Sequence, residues 1–301
     1  MTEPVIETDR LTKRYGAARG IEELSLSVQR GEVFGFLGPN GAGKTTTIRT
    51  LLDLLHPTSG SARLFGLDSR GDSLRIRARL GNLPAEFAWD PRRTGREVVS
   101  LLAALRGMTG LGRAGELAER FHADLDTPIR QLSRGNRQKI GIIQALFHEP
   151  ELLILDEPTG GLDPLMQEEF RLLVGEEQDR GATVFLSSHD LEEIERLCDR
   201  VAIIREGRLI AVERVAALTA RRFRHALVTF AQAVDVDALR ALPGVRDLAV
   251  DGRAVRFGVE ASALDQVVKI LAGHEIVDLE LARPSLEEVF LTLYSGEEPA
   301  G

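Results

Sequence analysis

Nine consecutive residues, Gly38-Pro39-Asn40-Gly41-Ala42-Gly43-Lys44-Thr45-Thr46, fit the pattern G-x-x-x-x-G-K-[ST] of a phosphate-binding loop. Glycines let backbone N–H groups curl around a phosphate where a Cβ would clash. Lys44 adds a point charge for β and γ oxygens, and the Thr45 hydroxyl is a ligand for Mg²⁺. A second chemical pair, Asp156-Glu157, ends the apolar run Leu152-Leu153-Ile154-Leu155. There an aspartate can steady Mg²⁺ and a glutamate can polarise a water as general base. His189 follows Ser187-Ser188 at the end of another apolar run, where a structural histidine and a γ-phosphate contact both fit. The segment Leu132-Ser133-Arg134-Gly135-Asn136-Arg137-Gln138-Lys139 puts a serine at a helix N-cap among cations. Taken alone, it is an N-capped helix with an anion-friendly end.

The elements needed to position these residues are legible from periodicity. Residues 33–37 read as a buried strand entering the glycine loop, and 46–55 as the helix leaving it. Residues 5–31 alternate apolar and polar as in a small antiparallel sheet. Within it, Tyr15 fits either a core aromatic or a flat face for a purine. A strand over 61–66 and an arginine-rich solvated helix over 70–79 follow, then an irregular stretch to Pro91. That stretch holds the single tryptophan, Trp89, either an exposed docking anchor or a core residue. Thr94-Gly95-Arg96-Glu97 is a capping box opening a helix to 105, and 113–123 is helical again. Together these suggest a helical insertion over about 86–148. The run 152–155, apolar on both faces, fits a central parallel strand, with Asp156 and Glu157 at its ligand-binding end. Asp163 and Pro164 read as N-cap and first residue of the next helix.

A strand over 182–186, a hairpin over 201–210 and a helix to about 222 close a first domain. From there the order becomes β-α-β-β-α-β plus a helix over 284–294, as in a ferredoxin-like fold. No nucleophile, metal cluster or phosphate loop falls in that second part, so an interaction or regulatory module is expected.

Bulk properties limit the choices. The chain has 301 residues, 43% hydrophobic and 28% charged, with a net charge of −8. An acidic balance argues against a nucleic-acid partner. Cys198 is the single cysteine, which excludes an intrachain disulfide and fits a reducing, cytoplasmic home. The N-terminus reads as lacking a signal segment, and no apolar run approaches the 18 or so residues that span a bilayer. Work at a membrane therefore implies a partner.

Gly38 to Thr46, Leu132 to Gln138, Leu152 to Pro158, Gly161-Leu162-Asp163 and His189 occur in this order. The combination resembles the nucleotide-binding subunit of ABC transporters over residues 4–220. The segment Pro284 to Phe290 resembles the extension on bacterial exporter ATPases that work with ABC-2-type permeases. The resemblance implies an α/β P-loop NTPase core with an antiparallel β subdomain and a helical subdomain. It implies an accessory α+β domain over 222–294. It also implies an ATPase using ATP and Mg²⁺, acting as a homodimer on the inner membrane face through an integral membrane permease. By position, Tyr15 would stack on adenine and Gly38, Pro39, Asn40, Gly41, Ala42, Gly43, Lys44, Thr45 and Thr46 would grip the phosphates. Thr45 and Asp156 would serve the metal, Glu157 would activate water, and His189 would contact the γ-phosphate. Ser133 and Gly135 would reach ATP held by the other subunit, with Asp163 between the two sites.

Two departures stand out. The family's glutamine after the Leu-Pro pair is Ala85 here, with Glu86 one place later. Arg134 and Asn136 replace a glycine and a glutamine in the Ser133 segment. The rival reading is an ABC-type switch acting on ribosomes or DNA. A kinase or GTPase would leave the Ser133 segment unexplained.

Overall fold

The glycine loop, the Asp156-Glu157 pair and His189 leave one six-stranded sheet at the same level. In spatial order the sheet runs β10 (Arg208–Arg214), β9 (Arg200–Arg205), β3 (Val33–Leu37), β8 (Thr183–Ser188), β7 (Leu152–Asp156) and β6 (Leu80–Leu83). All neighbours from β9 to β6 are parallel, and β10 turns back antiparallel. Strands β3, β7 and β8 are buried at every position, as parallel strands covered on both faces must be. Register does the rest. Leu37 pairs with Ser188 and Asp156 pairs with Ser187. The glycine loop, Glu157 and His189 therefore emerge side by side at the carboxyl ends of adjacent strands, where α/β sheets bind ligands.

The computed structural model describes residues 3–16, 18–220 and 224–282. The chain divides into two units, Met1–Val215 and Ala216–Gly301. The division falls at the start of helix α8 (Val215–Ala220), whereas the sequence pattern placed it after that helix.

In the first unit, an antiparallel sheet of β2 (Ala18–Gln29), β1 (Pro4–Tyr15), β4 (Ser59–Leu64) and β5 (Leu67–Asp68) shares a core with the parallel sheet. Ile6, Leu11, Ile21, Leu24 and Leu64 are buried with Phe34, Phe36 and Phe185. Strand β1 runs unbroken through residues 11–15. Helix α1 (Lys44–Leu51) begins two residues earlier than the periodicity suggests, because Gly43 at its N-cap adopts φ 110°. Leu80–Leu83, read from sequence as irregular, is the edge strand β6 after helix α2 (Ser73–Ala78).

The helical insertion holds α3 (Gly95–Leu105), α4 (Ala114–Arg120) and α5 (Arg134–Leu146). The capping box is present on both sides, Glu97 N–H to Thr94 Oγ1 at 3.2 Å and Thr94 N–H to Glu97 Oε2 at 2.8 Å. Ion pairs bind this insertion to α6 (Pro164–Asp179). Glu177, only 1% exposed, accepts from Arg113 at 2.6 Å and Arg180 at 2.5 Å. Arg120 pairs with both Glu169 and Glu176. Helix α7 (Leu191–Leu197) follows β8. Trp89 is half-buried, stacked on Phe87 at 4.1 Å and donating to Gln144 Oε1 at 2.7 Å. It is thus fixed to the insertion with one face left open.

In the second unit the strand order is β12 (Val245–Asp251), β13 (Ala254–Val259), β11 (Arg224–Phe230) and β14 (Ile276–Ala282), all antiparallel. Helices α9 (Asp237–Arg240) and α10 (Leu264–Leu271) bury Leu239, Val267 and Leu271 against Val228, Phe230 and Phe257. This is the ferredoxin-like arrangement. The helix expected over 284–294 and the motif from Pro284 to Phe290 lie outside the described residues.

Candidate active site

Gly43 stands where the chain must turn from loop to helix against another backbone. A Cβ there would lie 2.9 Å from Ile21 Cγ2 and 3.2 Å from the Gly20 carbonyl, and φ is +110°. Only glycine fits without strain. Lys44 is 6% exposed, and its ammonium folds back on the loop, donating to Gly38 O at 2.6 Å and Pro39 O at 3.3 Å. It also meets Glu157 Oε1 at 3.2 Å. The hydroxyls of Thr47 and Thr50 bond back to their own helix, at Gly43 O and Thr46 O. The Thr45 hydroxyl makes no such bond among the described residues and is free to meet a ligand.

Asp156 is 1% exposed, and its Oδ1 accepts from the Ser187 hydroxyl at 2.5 Å. Glu157 follows in the left-handed region with φ 52°, a conformation costing a non-glycine residue about 1–3 kcal/mol. Its neighbours hold it there. The Glu157 N–H donates to Ser187 at 3.2 Å, and Gln138 Nε2 donates to the carbonyls of Glu157 at 3.2 Å and Pro158 at 2.7 Å. The turn aims the carboxylate between two partners, the Lys44 ammonium on one oxygen and His189 Nδ1 on the other at 2.7 Å.

Tyr15 is 44% exposed at the end of β1, so its ring is not a core aromatic. It lies next to Gly20, whose added Cβ would come within 3.2 Å of Tyr15 Cε2, and Gly20 in turn borders Gly43. The ring stands near the mouth of the loop, with Lys13 Nζ 5.5 Å from its centroid.

Ser133 N-caps α5, its Oγ accepting from Asn136 N–H at 3.1 Å. Asn136 also clasps the preceding loop, accepting from Asp124 N–H and donating to Asp124 O, both at 2.9 Å. Gly135 packs on the loop after β7, since a Cβ there would lie 2.8 Å from Gly161 O. Arg134 lies across that loop, its Cγ, Cδ and Nε 3.3–3.4 Å from where a Gly161 Cβ would be. Its side chain is exposed yet packed on that loop. Asp163 caps α6 at Met166 N–H, 3.0 Å.

Lys44, Asp156, Glu157 and His189 thus converge, with Tyr15 at the rim, while Ser133, Gly135 and Asp163 form a separate exposed face. Ala85 and Glu86 border a cavity of about 620 Å³ whose walls also include Gln138, Arg134 and Glu157. Sequence reasoning missed Ser187 and Gln138 as supports of the acidic pair. Gln138 was visible in the Ser133 segment, but its bond spans 20 residues to Pro158.

The sheet order and the loop at its carboxyl edge define a P-loop nucleoside triphosphatase. The family described as ABC transporter matches residues 21–160. The daunorubicin resistance ATP-binding protein of Streptomyces coeruleorubidus is 39% identical over 310 residues, covering 97% of this chain and 96% of that one. The bacitracin transport ATP-binding protein of Enterococcus faecalis is 32% identical, covering 98% and 97%. A solved ATP-binding subunit of an ABC transporter superposes with TM-score 0.67 at 30% identity, covering 71% of this chain and 91% of that one. A dimeric bacterial ABC transporter cassette does so with TM-score 0.65 at 25% identity, covering 70% and 98%. The chain belongs to the ABC transporter family of ATP-binding subunits, and it is an ATPase.

Proposed function

We propose that this chain is the motor of an exporter, closing as a head-to-tail homodimer on two ATP molecules and driving a separate ABC-2-type membrane permease. One observation carries this reading. The cluster of Lys44, Glu157 and His189 is held by contacts within the chain, whereas the capped N-terminus at Ser133 is exposed, with the exposed Arg134 and Arg137 beside it.

In this reading Gly38 to Thr46 hold the phosphates and Tyr15 stacks on adenine, a contact worth about 1–3 kcal/mol. The oxygens of Thr45 and Asp156 suit Mg²⁺, which prefers one or two protein ligands completed by phosphates and water. Bound there, the ion would draw charge from the β and γ oxygens. Arriving phosphates draw Lys44 off Glu157, freeing one carboxylate oxygen to accept a proton from water. His189 steadies the other oxygen and contacts the γ-phosphate. Ser133 and Gly135 close on the ATP of a second copy, with Asp163 between.

A groove of about 480 Å³ between α1, α2 and α3 presents Leu54, Leu74 and Leu105, which are 58%, 80% and 74% exposed. This apolar surface suits a cytoplasmic segment of the permease. Among the described residues no helix is long and apolar enough to cross a membrane. Attachment to the inner membrane face through that partner follows. The names of the relatives, bacitracin transport and daunorubicin resistance, support an antibiotic-like cargo.

The test is to affinity-purify tagged Glu157→Gln protein with ATP from detergent-solubilised membranes of the native host. A stoichiometric polytopic membrane protein is expected. Ribosomes or DNA in its place would overturn the transport reading in favour of a switch.

A further inference from the structure

Behind the Glu157–His189 contact lies a carboxyl group the mechanism above does not use. Glu193, on the first turn of α7, points inward. The Ser188 hydroxyl donates to its Oε2 at 2.5 Å while accepting the Asp190 N–H at 2.9 Å. Those two bonds shape the turn on which His189 stands. The other oxygen, Oε1, is buried without a well-formed hydrogen bond. Its polar neighbour is the Thr159 side chain, two residues after Glu157. A cavity of about 140 Å³ backs the group, walled by Thr159, Pro164, Gln167 and Leu197. The guanidiniums on that wall are already engaged, Arg171 with Glu168 and Arg196 with Glu192. The charges facing Glu193 are the carboxylates of Glu157 and Asp190.

We infer that Glu193 is a positioning residue for hydrolysis, bridging Ser188 to Thr159 and so fixing the two loops that bring His189 to Glu157. Burial raises its pKa to about 7; the Ser188 and Thr159 side chains pull it down, and Glu157 and Asp190 add smaller upward pushes. The surroundings favour the neutral form, because an anion there would add to those of Glu157 and Asp190. That form can hydrogen-bond in both directions, whereas a carboxylate only accepts. The bridge touches neither nucleotide nor water; its effect is on the distance between imidazole and carboxylate. This inference rests on the proposed roles of Glu157 and His189.

The test compares ATPase kinetics of Glu193→Ala, Glu193→Gln, Ser188→Ala and the Ser188→Ala/Glu193→Ala double variant, with Glu157→Gln alongside. Glu193→Ala is expected to lower kcat roughly 10–100-fold with the KM for ATP little changed, since misplacement by about 1 Å can cost that much. Glu193→Gln, neutral and of the same shape, is expected to restore most of the rate. The double variant should fall no further than the worse single one, because both break one bridge. A wild-type rate for Glu193→Ala, a Gln variant as impaired as Ala, or fully additive losses would each overturn the inference. Thermal unfolding and ATP affinity of the Ala variant separate misfolding from mispositioning; if it is unfolded, the Ser188→Ala and Gln arms decide. If Glu157→Gln itself hydrolyses ATP at the wild-type rate, the assignment of Glu157 fails. If Glu157→Gln is inactive and Glu193→Ala is normal, only the bridge fails.

Discussion

The two halves of the site are built on opposite plans. Glu157 itself is held from within the chain: Lys44 and His189 meet the carboxylate, and Ser187 and Gln138 hold the backbone. At Ser133 the backbone is just as firmly held, by the N-cap and by Asn136 clasping Asp124, yet the outward side of the helix end is exposed. Rigid support under an open anion-binding surface is the design of a group waiting for a ligand from elsewhere. In the proposed function the first half performs the chemistry and the second completes the site of another copy.

Substitutions can break this contrast in turn. The largest effect is expected from Glu157→Gln, which removes the general base and should cut kcat by roughly 10²–10⁴-fold with ATP still bound. Turnover near the wild-type rate would refute the role. Gly135→Val comes next. Its Cβ would sit 2.8 Å from Gly161 O, displacing the helix end from the loop it rests on. Hydrolysis should fall about 10²-fold while ATP affinity of the isolated chain is unchanged, by filter binding or fluorescence titration. An equal loss of affinity would place Ser133 and Gly135 at their own chain's nucleotide.

Lys44→Ala inverts that pattern, because it strips a charged donor from the phosphates. Affinity for ATP should fall about 10–100-fold, the worth of a charge-assisted hydrogen bond of about 1.5–3 kcal/mol. Unchanged affinity would contradict the loop's role.

The smallest effect lies away from both halves. Burial and the nearby Arg106 push the His148 imidazole down to about 4, while its bond to Leu80 O pulls the other way. Its folded pKa is below the unfolded value near 6.5, so only the unfolded chain gains a proton as pH falls between them. Stability from this group is therefore present above about pH 6.5 and lost as pH drops towards about 4. His148→Gln should flatten the fall of the thermal midpoint between pH 7 and 5. An unchanged slope would assign the acid sensitivity to other groups.

Much of this was readable in the chain because the motifs are short and contiguous. The glycine loop, the apolar strand ending in Asp156-Glu157, the capping box at Thr94 and the N-cap at Ser133 each carry their own local signal. What escaped is what tertiary packing decides. Leu80–Leu83 contains a glycine and an asparagine and ends at Pro84, so nothing in it alternates. It is a strand because β7 offers it an edge. Helix α9 is only four residues, Asp237–Arg240, and the apolar residues flanking it, Val234, Val236 and Leu242, pack on the second unit's core from outside the helix. Arg134 resting on Gly161, Lys44 folded onto Glu157 and Gln138 reaching Pro158 each join residues far apart in sequence. Spacing has no means of announcing such pairs.

The central claim is that Ser133 and Gly135 serve ATP held by a second copy. The most direct measurement is the mass in solution of Glu157→Gln protein with and without ATP, by light scattering after gel filtration. A mass near that of the 33.0 kDa chain is expected without nucleotide and twice that with ATP, the doubling being lost when Ser133→Arg is added. An ATP-loaded protein that stays monomeric at micromolar concentration, or a dimer indifferent to Ser133→Arg, would contradict it.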